Sequence, residues 1–428
     1  MAISYLKRAA LTPEDASSSV TDTVTKLLDD IKSGGEDTAR ALTRQFDNWD
    51  GEIVVSQDDI AAAAAQVPDE LKQHIAFAHD NIRRFAEAQL ASSQDCAVEL
   101  HPGFWAGQKL IPVNSAGCYV PGGRYSHLAS AIMSITTAKV AGVQNVTAVS
   151  PPHSGVGIAP AVLYTMGLCG ADTVLNLGGV QGIAAMANGL FGVQQADILV
   201  GPGNQYVAEA KRILFGEVGI DMFAGPTDSL VIADKTADPE LVAMDLMGQA
   251  EHGYNSPVWL VTDHAPLAEA VMERVPQLIE TLPTLNRDNA EAAWRDYAEV
   301  ILCDTRDEMA TVSDDYAPEH LQVQAADLDW WLDRLTAYGS LFLGEETTVA
   351  FGDKASGPNH VLPTNKAARY TGGLSVHKFI KTVTWQRSTP EGMRAVAEAT
   401  AGISRAEGME GHARTADARL QKFHGAGS

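Results

Sequence analysis

The fold is decided by the run Val146-Thr-Ala-Val-Ser150 and by six similar runs that follow it along the chain. Each run is short, rich in β-branched or large aliphatic residues, and separated from the next by a stretch with helical character. Strands that alternate with helices predict parallel sheets in an α/β fold. Seven strands are enough for two sheets, so the sequence predicts two doubly wound domains. The other six runs are Val174-Leu-Asn-Leu177, Ile198-Leu-Val200, Leu230-Val-Ile232, Val258-Trp-Leu-Val261, Val300-Ile-Leu302 and Leu341-Phe-Leu343.

The segments on either side of this α/β region have a different pattern. Residues 20–33 and 68–90 carry apolar residues at helical spacing between charged ones. Beyond Asn365 the β pattern fades, and residues 389–422 are rich in Ala, Arg and Glu, which favours helices. A small helical extension buries little surface alone, so we expect it to pack on another body such as a partner subunit.

The composition excludes several classes of partner. The chain has 428 residues and a formal net charge of −23, so we expect neither nucleic acid nor an anionic membrane surface as a partner. The four cysteines form no Cys-x-x-Cys pair, which argues against a disulfide framework or a thiolate zinc site. Because no stretch is apolar enough for a signal sequence or a membrane span, the sequence predicts a cytoplasmic protein.

Two separated pairs of polar residues predict a metal site. Gln249 and His252 are three positions apart at the end of a predicted helix, so both fall on one face of it. Asp353 and His360 flank Gly357-Pro358, which forces an irregular loop able to turn both side chains inward. An amide oxygen, a carboxylate and two imidazoles suit zinc or a similar divalent ion. The alternatives are a polar helix end for the first pair and a surface turn for the second.

An adjacent acid and imidazole, Glu319 and His320, indicate proton transfer. They follow Pro318, a position at which a helix or turn often starts. Neighbouring carboxyl and imidazole groups can share proton transfers near neutral pH. The alternative is an ordinary helix start with an exposed histidine. A third separated pair, Glu407 and His412, lies in the helical tail.

Four glycine-rich turns follow predicted strands, and together they favour a nucleotide or dinucleotide site. Glycine lets backbone amides approach a phosphate at a helix N-terminus, and ligands of open α/β sheets bind at the carboxyl ends of the strands. No turn matches a complete Gly-x-Gly-x-x-Gly fingerprint followed by an acidic residue, so each taken singly also fits a plain βα turn. The turns are Val120-Pro-Gly-Gly, Leu177-Gly-Gly-Val-Gln-Gly, Val200-Gly-Pro-Gly-Asn and Phe223-Ala-Gly-Pro-Thr-Asp.

From about Arg40 to its end, the chain resembles the histidinol dehydrogenase family in eight segments that occur in the same order. The resemblance implies an intertwined homodimer, two incomplete Rossmann-like domains with small helical extensions used in dimerisation, one zinc ion per site and NAD as oxidant. It also implies an N-terminal arm at 1–20, a first domain at 21–115 and 228–365, an NAD-binding second domain at 116–227, and a C-terminal intersubunit extension at 366–428. The segments are Tyr119-Val-Pro-Gly-Gly, Gly201-Pro-Gly-Asn, Asp221-Met-Phe-Ala-Gly-Pro, Gln249-Ala-Glu-His, Ala317-Pro-Glu-His-Leu, Asn359-His-Val-Leu-Pro-Thr, Gly373-Leu-Ser-Val and Arg405-Ala-Glu-Gly.

The same resemblance implies roles for individual residues, and it moves His360 from the metal set to the substrate side. His412 would replace it as a zinc ligand and would come from the tail of the partner subunit. The implied zinc ligands are Gln249, His252, Asp353 and His412; the proton-transfer pair is Glu319 and His320; the NAD contacts are Tyr119, Gln181 and Asn204; and the substrate contacts are Thr227, His360 and Glu407.

The reaction that the resemblance implies is a four-electron oxidation of a primary alcohol to a carboxylate. Zinc would hold the substrate by a polar arm and fix the alcohol carbon near the nicotinamide. His320 would remove the hydroxyl proton as the first hydride leaves, and Glu319 would activate the water that adds to the bound aldehyde. A second NAD would take the second hydride, with the aldehyde held away from bulk solvent throughout.

The pocket segments depart from those of biosynthetic histidinol dehydrogenases, and the local change is toward positive charge. Arg124 and Lys378 stand where those enzymes carry small or acidic residues, and Thr227-Asp228 replaces Ser-Glu. Arginine and lysine suit a sulfonate or carboxylate better than a cationic amino alcohol. The pattern resembles the branch of the family that oxidises 2,3-dihydroxypropane-1-sulfonate (sulfopropanediol) to 3-sulfolactate, with Arg124 and Lys378 as substrate contacts.

Three alternatives stay open. L-Histidinol, oxidised to L-histidine, is the substrate if Arg124 and Lys378 merely face solvent or the NAD phosphates. A zinc hydrolase could use the same ligands and a water activated by Glu319, although it would not need glycine-rich turns at several strand ends. A non-catalytic metal-binding homologue would not need the proton-transfer pair and the substrate-side residues together.

Overall fold

A computed structural model describes residues 3–11, 18–122, 127–153, 155–223 and 225–425. The chain divides into two compact units. Unit 1 comprises Met1–Leu90 and Val113–Phe379, and unit 2 comprises Ala91–Pro112 and Ile380–Ser428. The domain boundaries expected from the sequence, which separate the α/β region by its two sheets, stay a prediction.

Fourteen strands form within the described residues, and all seven strands expected from the apolar runs are among them, each within one residue of its expected bounds. They are β1 (Ser4–Lys7), β2 (Cys96–His101), β3 (Phe104–Pro112), β4 (Ser115–Tyr119), β5 (Asn145–Ser150), β6 (Thr173–Asn176), β7 (Ile198–Val200), β8 (Gly219–Ile220), β9 (Ser229–Ala233), β10 (Val258–Thr262), β11 (Glu299–Leu302), β12 (His320–Gln324), β13 (Ser340–Leu343) and β14 (Ile380–Ser388).

Helices surround these strands, and a π-helical turn at Ile132–Thr136 joins two of them. None of the helices in the described ranges is long and apolar enough to cross a membrane. The α-helices are α1 (Ser18–Asp47), α2 (Gln57–Gln66), α3 (Asp69–Ala91), α4 (Leu128–Ala131), α5 (Thr137–Val140), α6 (Pro160–Leu168), α7 (Gly179–Asn188), α8 (Gln205–Leu214), α9 (Pro239–Ala250), α10 (Ala265–Glu280), α11 (Thr284–Asp296), α12 (Arg306–Tyr316), α13 (Leu328–Arg334), α14 (Val349–Gly352), α15 (Met393–Ala406) and α16 (Glu410–His424).

Six strands form a sheet in the order β1-β11-β10-β9-β12-β13, which we call sheet A. Its neighbours are parallel, except that the edge strand β1 is antiparallel to β11. Helices α9, α10 and α11 cover one face, and α12 and α13 cover the other. Burial on both faces explains why most of these strands read as continuous apolar runs.

Five parallel strands form sheet B, in the order β6-β5-β4-β7-β8. Helices α1, α7 and α8 pack on one of its faces. The strand order reverses between β4 and β7, which in open α/β sheets creates a crevice at the carboxyl ends of the two strands. Two sheets whose strands are parallel, apart from the edge strand β1, and which carry helices on their faces confirm the expected α/β class.

Unit 2 contains a small antiparallel sheet in the order β14-β3-β2, followed by the helices expected between 389 and 422. Helices α15 and α16 pack together through Met393, Ala397, Ala401 and Ala416. Strand β14 is nine residues long and was not expected, because all of its residues after the first are exposed in this chain. A strand with exposed side chains leaves no apolar run in the sequence.

Other elements also differ from expectation. Ser4–Lys7 is a strand, although the sequence predicted a helical arm there. A strand also follows Pro318 instead of a helix. Helix α12 ends at Tyr316, and its C-cap residue Ala317 lies in the left-handed region with a φ of +45°, which turns the chain out of the helix. His320 is therefore the first residue of β12 and is buried, which rules out the alternative of an exposed histidine at a helix start.

Gly201 generates a prediction about the crevice of sheet B. It follows β7 with a φ of +112°, and an added Cβ would lie 2.1 Å from the carbonyl oxygen of Tyr119. Gly201→Ala is expected to lower the free energy of unfolding by about 3 kcal/mol, because it adds a backbone clash to a conformation that other residues rarely adopt. Urea denaturation followed by circular dichroism measures the change.

Gly402→Ala is the matched control. Gly402 lies inside α15, and an added Cβ there meets nothing within 4 Å. That variant is expected to gain about 0.5–1 kcal/mol, since alanine favours a helix interior over glycine. A Gly201→Ala variant as stable as the wild type would contradict the close approach of β7 to β4.

Candidate active site

The metal-ligand candidates Gln249, His252 and Asp353 come together at the amino edge of sheet A. Helix α9 follows β9 and runs back along the sheet, so its end returns to the edge at which β9 and β12 begin. Asp353 caps the C-terminus of α14. His252 Nε2 lies 3.6 Å from Asp353 Oδ2, and His320 Nε2 lies 3.4 Å from Asp353 Oδ1. One carboxylate thus stands between two imidazoles.

Two polar atoms of this cluster are buried without a hydrogen-bond partner among the described residues: Gln249 Oε1 and His320 Nε2. An unpaired buried polar atom costs about 1–3 kcal/mol. The His, Cys, Asp and Glu residues of the described ranges form no group of three placed as ligands, so a metal here needs the Gln249 amide as well. An amide oxygen, an imidazole and a carboxylate with available lone pairs fit a divalent cation such as zinc.

Asp353 is the electrostatic centre of the cluster. Burial alone would raise the pKa of this carboxyl, but hydrogen bonds and the charge interaction with His252 and His320 outweigh it and hold the pKa well below its usual range. The group therefore stays ionised at neutral pH, the state in which it can bind a cation.

Glu319 and Asp228 hold each other through their backbones. The Glu319 N–H donates to Asp228 Oδ1 at 2.7 Å, and the Asp228 N–H donates to Glu319 Oε2 at 3.3 Å. Burial raises the pKa of Glu319 well above its usual value, and the charges of Asp228 and Asp353 raise it further. Burial also raises the pKa of Asp228 to about 6. A glutamate in this environment takes up a proton more readily near neutral pH than an exposed one does.

His320 has a defined orientation beside this pair. Its Nδ1 lies 3.4 Å from the carbonyl oxygen of Asp228 and 3.8 Å from Glu319 Oε2. A hydrogen on Nδ1 would point at this carbonyl oxygen, and a hydrogen on Nε2 would point at the Asp353 carboxylate 3.4 Å away. Nε2 is buried and makes no hydrogen bond within the described part of the chain.

His360 lies next to the cluster, and both of its ring nitrogens are engaged. Nδ1 donates to the carbonyl oxygen of Asp353 at 2.9 Å, and Nε2 accepts from the Ser130 hydroxyl at 3.0 Å. Burial lowers the pKa of His360 to about 4, so the ring is neutral. To bind a metal as the spacing argument expected, His360 would have to break one of these bonds.

The loop that carries His360 is held by the helical segment after β4. Asn359 Nδ2 donates to the Met133 carbonyl oxygen at 2.9 Å, and the His360 N–H approaches Met133 Sδ at 3.0 Å. Met133 belongs to the π-helical turn, and such turns are frequent at functional sites. Sequence reasoning missed Ser130 and Met133, because nothing in Ala-Ser-Ala-Ile-Met marks a helix with one wider turn.

Two expected NAD contacts, Tyr119 and Asn204, lie at the carboxyl edge of sheet B. Tyr119 ends β4 and Asn204 precedes α8, so they flank the crevice at which the strand order reverses. The Tyr119 hydroxyl accepts from the Gly179 N–H at 3.1 Å. Asn204 caps α8 by accepting from two backbone N–H groups. The third, Gln181, is buried, and its amide donates to Asp47 Oδ2 at 2.9 Å.

A buried ion pair that the sequence analysis did not single out holds the turn after β7. Lys211 and Asp221 form a salt bridge with side chains 4% and 0% exposed. Lys211 donates to the Gly201 carbonyl oxygen at 2.9 Å, while Asp221 accepts from the Gly201 N–H at 2.8 Å. The N–H and the carbonyl oxygen of Gly201 are therefore both fixed by charged partners. Hydrogen bonds to charged groups are stronger than those between neutral groups.

Among the described residues, no hydrogen bond joins Lys378, Glu407 or His412 to the cluster. Arg124 lies outside the described residues. Lys378 donates to the Thr371 hydroxyl at 3.0 Å. Glu407 and His412 lie in unit 2, at the end of α15 and in α16, where both are exposed. Thr227 does reach the site, because its side chain lies beside the Glu319 carboxyl and favours the ionised form of that group.

Known proteins similar to this chain match it along its whole length. A profile of the family described as histidinol dehydrogenase matches residues 11–420. A sulfopropanediol 3-dehydrogenase of Ruegeria pomeroyi is 64% identical over 423 residues, which are 99% of this chain and 97% of that protein. A histidinol dehydrogenase homolog of the same organism is 66% identical over 423 residues, covering 99% and 98%.

The fold also matches a solved structure. The crystal structure of histidinol dehydrogenase from Elizabethkingia anophelis superposes with a TM-score of 0.92 at 35% sequence identity. The match covers 97% of this chain and 95% of that one, so it includes both units.

The unpaired oxygen of Gln249 generates a prediction about the metal-free protein. Gln249→Met removes that oxygen and largely preserves the side-chain volume, so the free energy of unfolding is expected to rise by about 1 kcal/mol. Denaturation in the presence of a chelator, followed by tryptophan fluorescence, measures it. Gln181→Met is the matched control, because the amide of Gln181 is paired, and that variant is expected to lose about 1–2 kcal/mol. Equal losses in both variants would argue against an unpaired oxygen at Gln249.

Proposed function

The chain belongs to the histidinol dehydrogenase family, and from that premise we propose that it oxidises sulfopropanediol to 3-sulfolactate. It is an NAD-dependent dehydrogenase that converts a primary alcohol to an acid. The observation that carries the choice of substrate is the identity of 64% to sulfopropanediol 3-dehydrogenase over nearly the full length of both chains. L-Histidinol is the second candidate, since the family as a whole is named for it.

We propose that Lys378 provides a cationic contact to an anionic substrate. The Leu374 N–H donates to the Val361 carbonyl oxygen at 2.8 Å, which joins the segment before Lys378 to the residue after His360. One ammonium hydrogen of Lys378 is used by Thr371, and the other two remain for a sulfonate. We propose Arg124 as a second contact to the same group, because a guanidinium matches the oxygens of a sulfonate well.

We propose that Gln249, His252 and Asp353 hold one zinc ion, together with His412 of the partner subunit. The unpaired amide oxygen, the ionised carboxylate and the exposure of His412 on α16 support this set. Bound zinc would orient the polar arm of the substrate, and NAD would accept a hydride in each of two steps. A zinc ligand from the partner subunit requires a homodimer. Glu407 lies in the same C-terminal segment as His412, so we propose that it reaches the substrate of the partner's site together with His412.

The crevice between β4 and β7 supports the proposed NAD site. Tyr119 and Asn204 flank it, and Gly179 and Gly201 let the backbone approach a pyrophosphate closely. Gln181 would contribute by holding Asp47 beside the start of α7, where its amide is already engaged.

We propose that His320 takes the proton of the substrate hydroxyl. Its Nε2 is buried and makes no hydrogen bond among the described residues, and its Nδ1 faces a carbonyl oxygen that would accept the hydrogen of the tautomer in which Nε2 is the base. The Asp353 carboxylate at 3.4 Å from Nε2 would stabilise the imidazolium that forms. Thr227 and His360 would orient the substrate from the same edge of the sheet.

Glu319 suits the second step, in which water adds to the aldehyde carbon. Its pKa is raised by burial, which makes its carboxylate a stronger base than an exposed glutamate. Its Oε2 is fixed by the Asp228 N–H, so the group has little freedom to turn away from the substrate. The two acid–base residues are adjacent in sequence, yet one serves the alcohol and the other the water.

NADH production by the zinc-loaded enzyme tests the substrate, with sulfopropanediol and L-histidinol compared side by side. Turnover of sulfopropanediol with two NADH per molecule is the expected result, because the proposed contacts Lys378 and Arg124 would attract a sulfonate and repel an ammonium group. Lys378→Gln is expected to raise the KM for the sulfonate about tenfold or more, the effect of losing one charge-assisted hydrogen bond. Turnover of histidinol alone would assign the enzyme to histidine synthesis.

His320→Asn tests the assignment of the base. This variant is expected to bind zinc and NAD normally and to turn over about 100- to 10,000-fold more slowly, as expected for the loss of a general base. Metal analysis, NAD titration and steady-state kinetics measure the three quantities. His264→Asn, at the start of α10, is the control for the replacement of a histidine by asparagine outside the site. Wild-type turnover in His320→Asn would rule out the role.

Mixed dimers test whether each site is shared. A dimer of one His320→Asn subunit and one His412→Asn subunit contains one complete site if His412 crosses to the partner. Activity should then appear when the two inactive variants are mixed and allowed to exchange subunits. A mixture that stays inactive despite exchange would place His412 in its own subunit's site or outside the site.

A further inference from the structure

Asp245 contacts β12 and the start of α14 from its position on α9, and we propose that it is a positioning residue that sets the zinc affinity of the site. The inference rests on the proposed function, because it requires zinc to be bound by Gln249, His252 and Asp353. Asp245 itself touches none of these three side chains through a hydrogen bond within the described residues.

The side chain of Asp245 accepts three hydrogen bonds from two different elements. Its Oδ2 accepts from Gln322 Nε2 and from Gln324 Nε2, each at 2.7 Å. Its Oδ1 accepts from the Thr348 hydroxyl at 2.8 Å. Gln322 Nε2 also donates to the Thr347 carbonyl oxygen at 3.0 Å. A single carboxylate on α9 thus joins that helix to β12 and to the beginning of α14.

Asp245 and its partner Gln322 each lie on the same face of their element as a residue of the site. Asp245 precedes Gln249 by four residues in α9, so the two share a helix face. Gln322 follows His320 by two residues in β12, so they share a face of the sheet. The positions of Gln249 and His320 relative to each other are therefore set by the bond between Asp245 and Gln322.

The contact with Thr348 has the same effect on Asp353. Thr348 is the N-cap of α14, and Asp353 is the cap at its other end. A helix of four residues has little stability alone, so its position depends on the contacts that hold its ends. The bond from Thr348 to Asp245 fixes the end of α14 that the metal would not touch.

Burial strengthens the hydrogen bonds of Asp245 with Gln322 and Gln324, which together with the bond to Thr348 we call the Asp245 junction. Gln322 and Gln324 are 0% and 1% exposed, so their amide hydrogens have no access to water. Hydrogen bonds to an ionised acceptor are stronger than those between neutral groups. Residues that orient metal ligands in this way change metal affinity when they are replaced, even though they do not touch the metal.

Asp245→Asn tests the inference with a side chain of the same shape. Its amide nitrogen must face either the two glutamine amide groups or the Thr348 hydroxyl, and the negative charge of the acceptor is lost in both cases. The zinc Kd, measured by competition with a chromophoric chelator, is expected to rise about 10- to 100-fold. Thr348→Val removes only the contact to α14 and is expected to give a smaller rise. NAD affinity should not change in either variant.

Asp234→Asn is the matched control. Asp234 follows β9 in the same sheet at the opposite edge, and it accepts hydrogen bonds from the N–H groups of Thr236 and Ala326. Its replacement is expected to lower stability and to leave the zinc Kd unchanged. A merely structural role of Asp245 would produce the same result as this control.

A second variant tests the geometry directly. In Asp245→Asn/Gln324→Glu the donor and the acceptor exchange places at one of the two glutamine contacts, so that contact can form again and the zinc Kd is expected to return part of the way toward the wild-type value. An unchanged Kd in Asp245→Asn, with zinc bound by the wild type, would overturn the inference and leave the proposed function intact. Failure of the wild type to bind zinc would overturn both.

Discussion

The parallel pairing of β9 with β12 is the constraint on which the site depends. Its register places His320 opposite Ser229, so the residues just before each strand, Glu319 and Asp228, are forced side by side. The reciprocal bonds between their backbones and carboxyl groups follow from that register. A slip of one residue would turn His320 to the opposite face of the sheet and away from Asp353.

The strands that could be predicted from the sequence are those with apolar side chains on both faces. Two of the parallel strands that the apolar runs did not predict are β4 (Ser-Ala-Gly-Cys-Tyr) and β12 (His-Leu-Gln-Val-Gln). Both carry residues of the candidate sites. In β12, alternate positions face α9 with polar groups that bind other side chains, so the usual apolar signal is missing. In β4, small residues allow β7 to approach closely, which again removes the signal.

The membership of the site stays a prediction, whereas the location of the residues proposed for it could not be predicted from the sequence. Gln249, His252 and Asp353 stood out by type and spacing, and the structure places His252 beside Asp353 and Gln249 three residues before His252, at the end of α9. The rule that ligands of open α/β sheets bind at the carboxyl ends of strands points to the crevice of sheet B, whereas this cluster lies at the amino edge of sheet A. Contacts such as Ser130 with His360 join residues 230 positions apart, and no local pattern can reveal them.

The π-helical turn after β4 has a consequence for how the chain can vary. A π turn contains one residue more than the corresponding α turn, and here it presents the Met133 carbonyl oxygen to Asn359 and to the Thr137 hydroxyl. Deleting one residue between 132 and 136 would give a more regular helix but would rotate the turn that carries Ser130 by about 100° relative to α5. Ser130 would then leave His360. The length of this segment is therefore under a stricter constraint than its composition, and natural variants should exchange its residues more readily than they lose one.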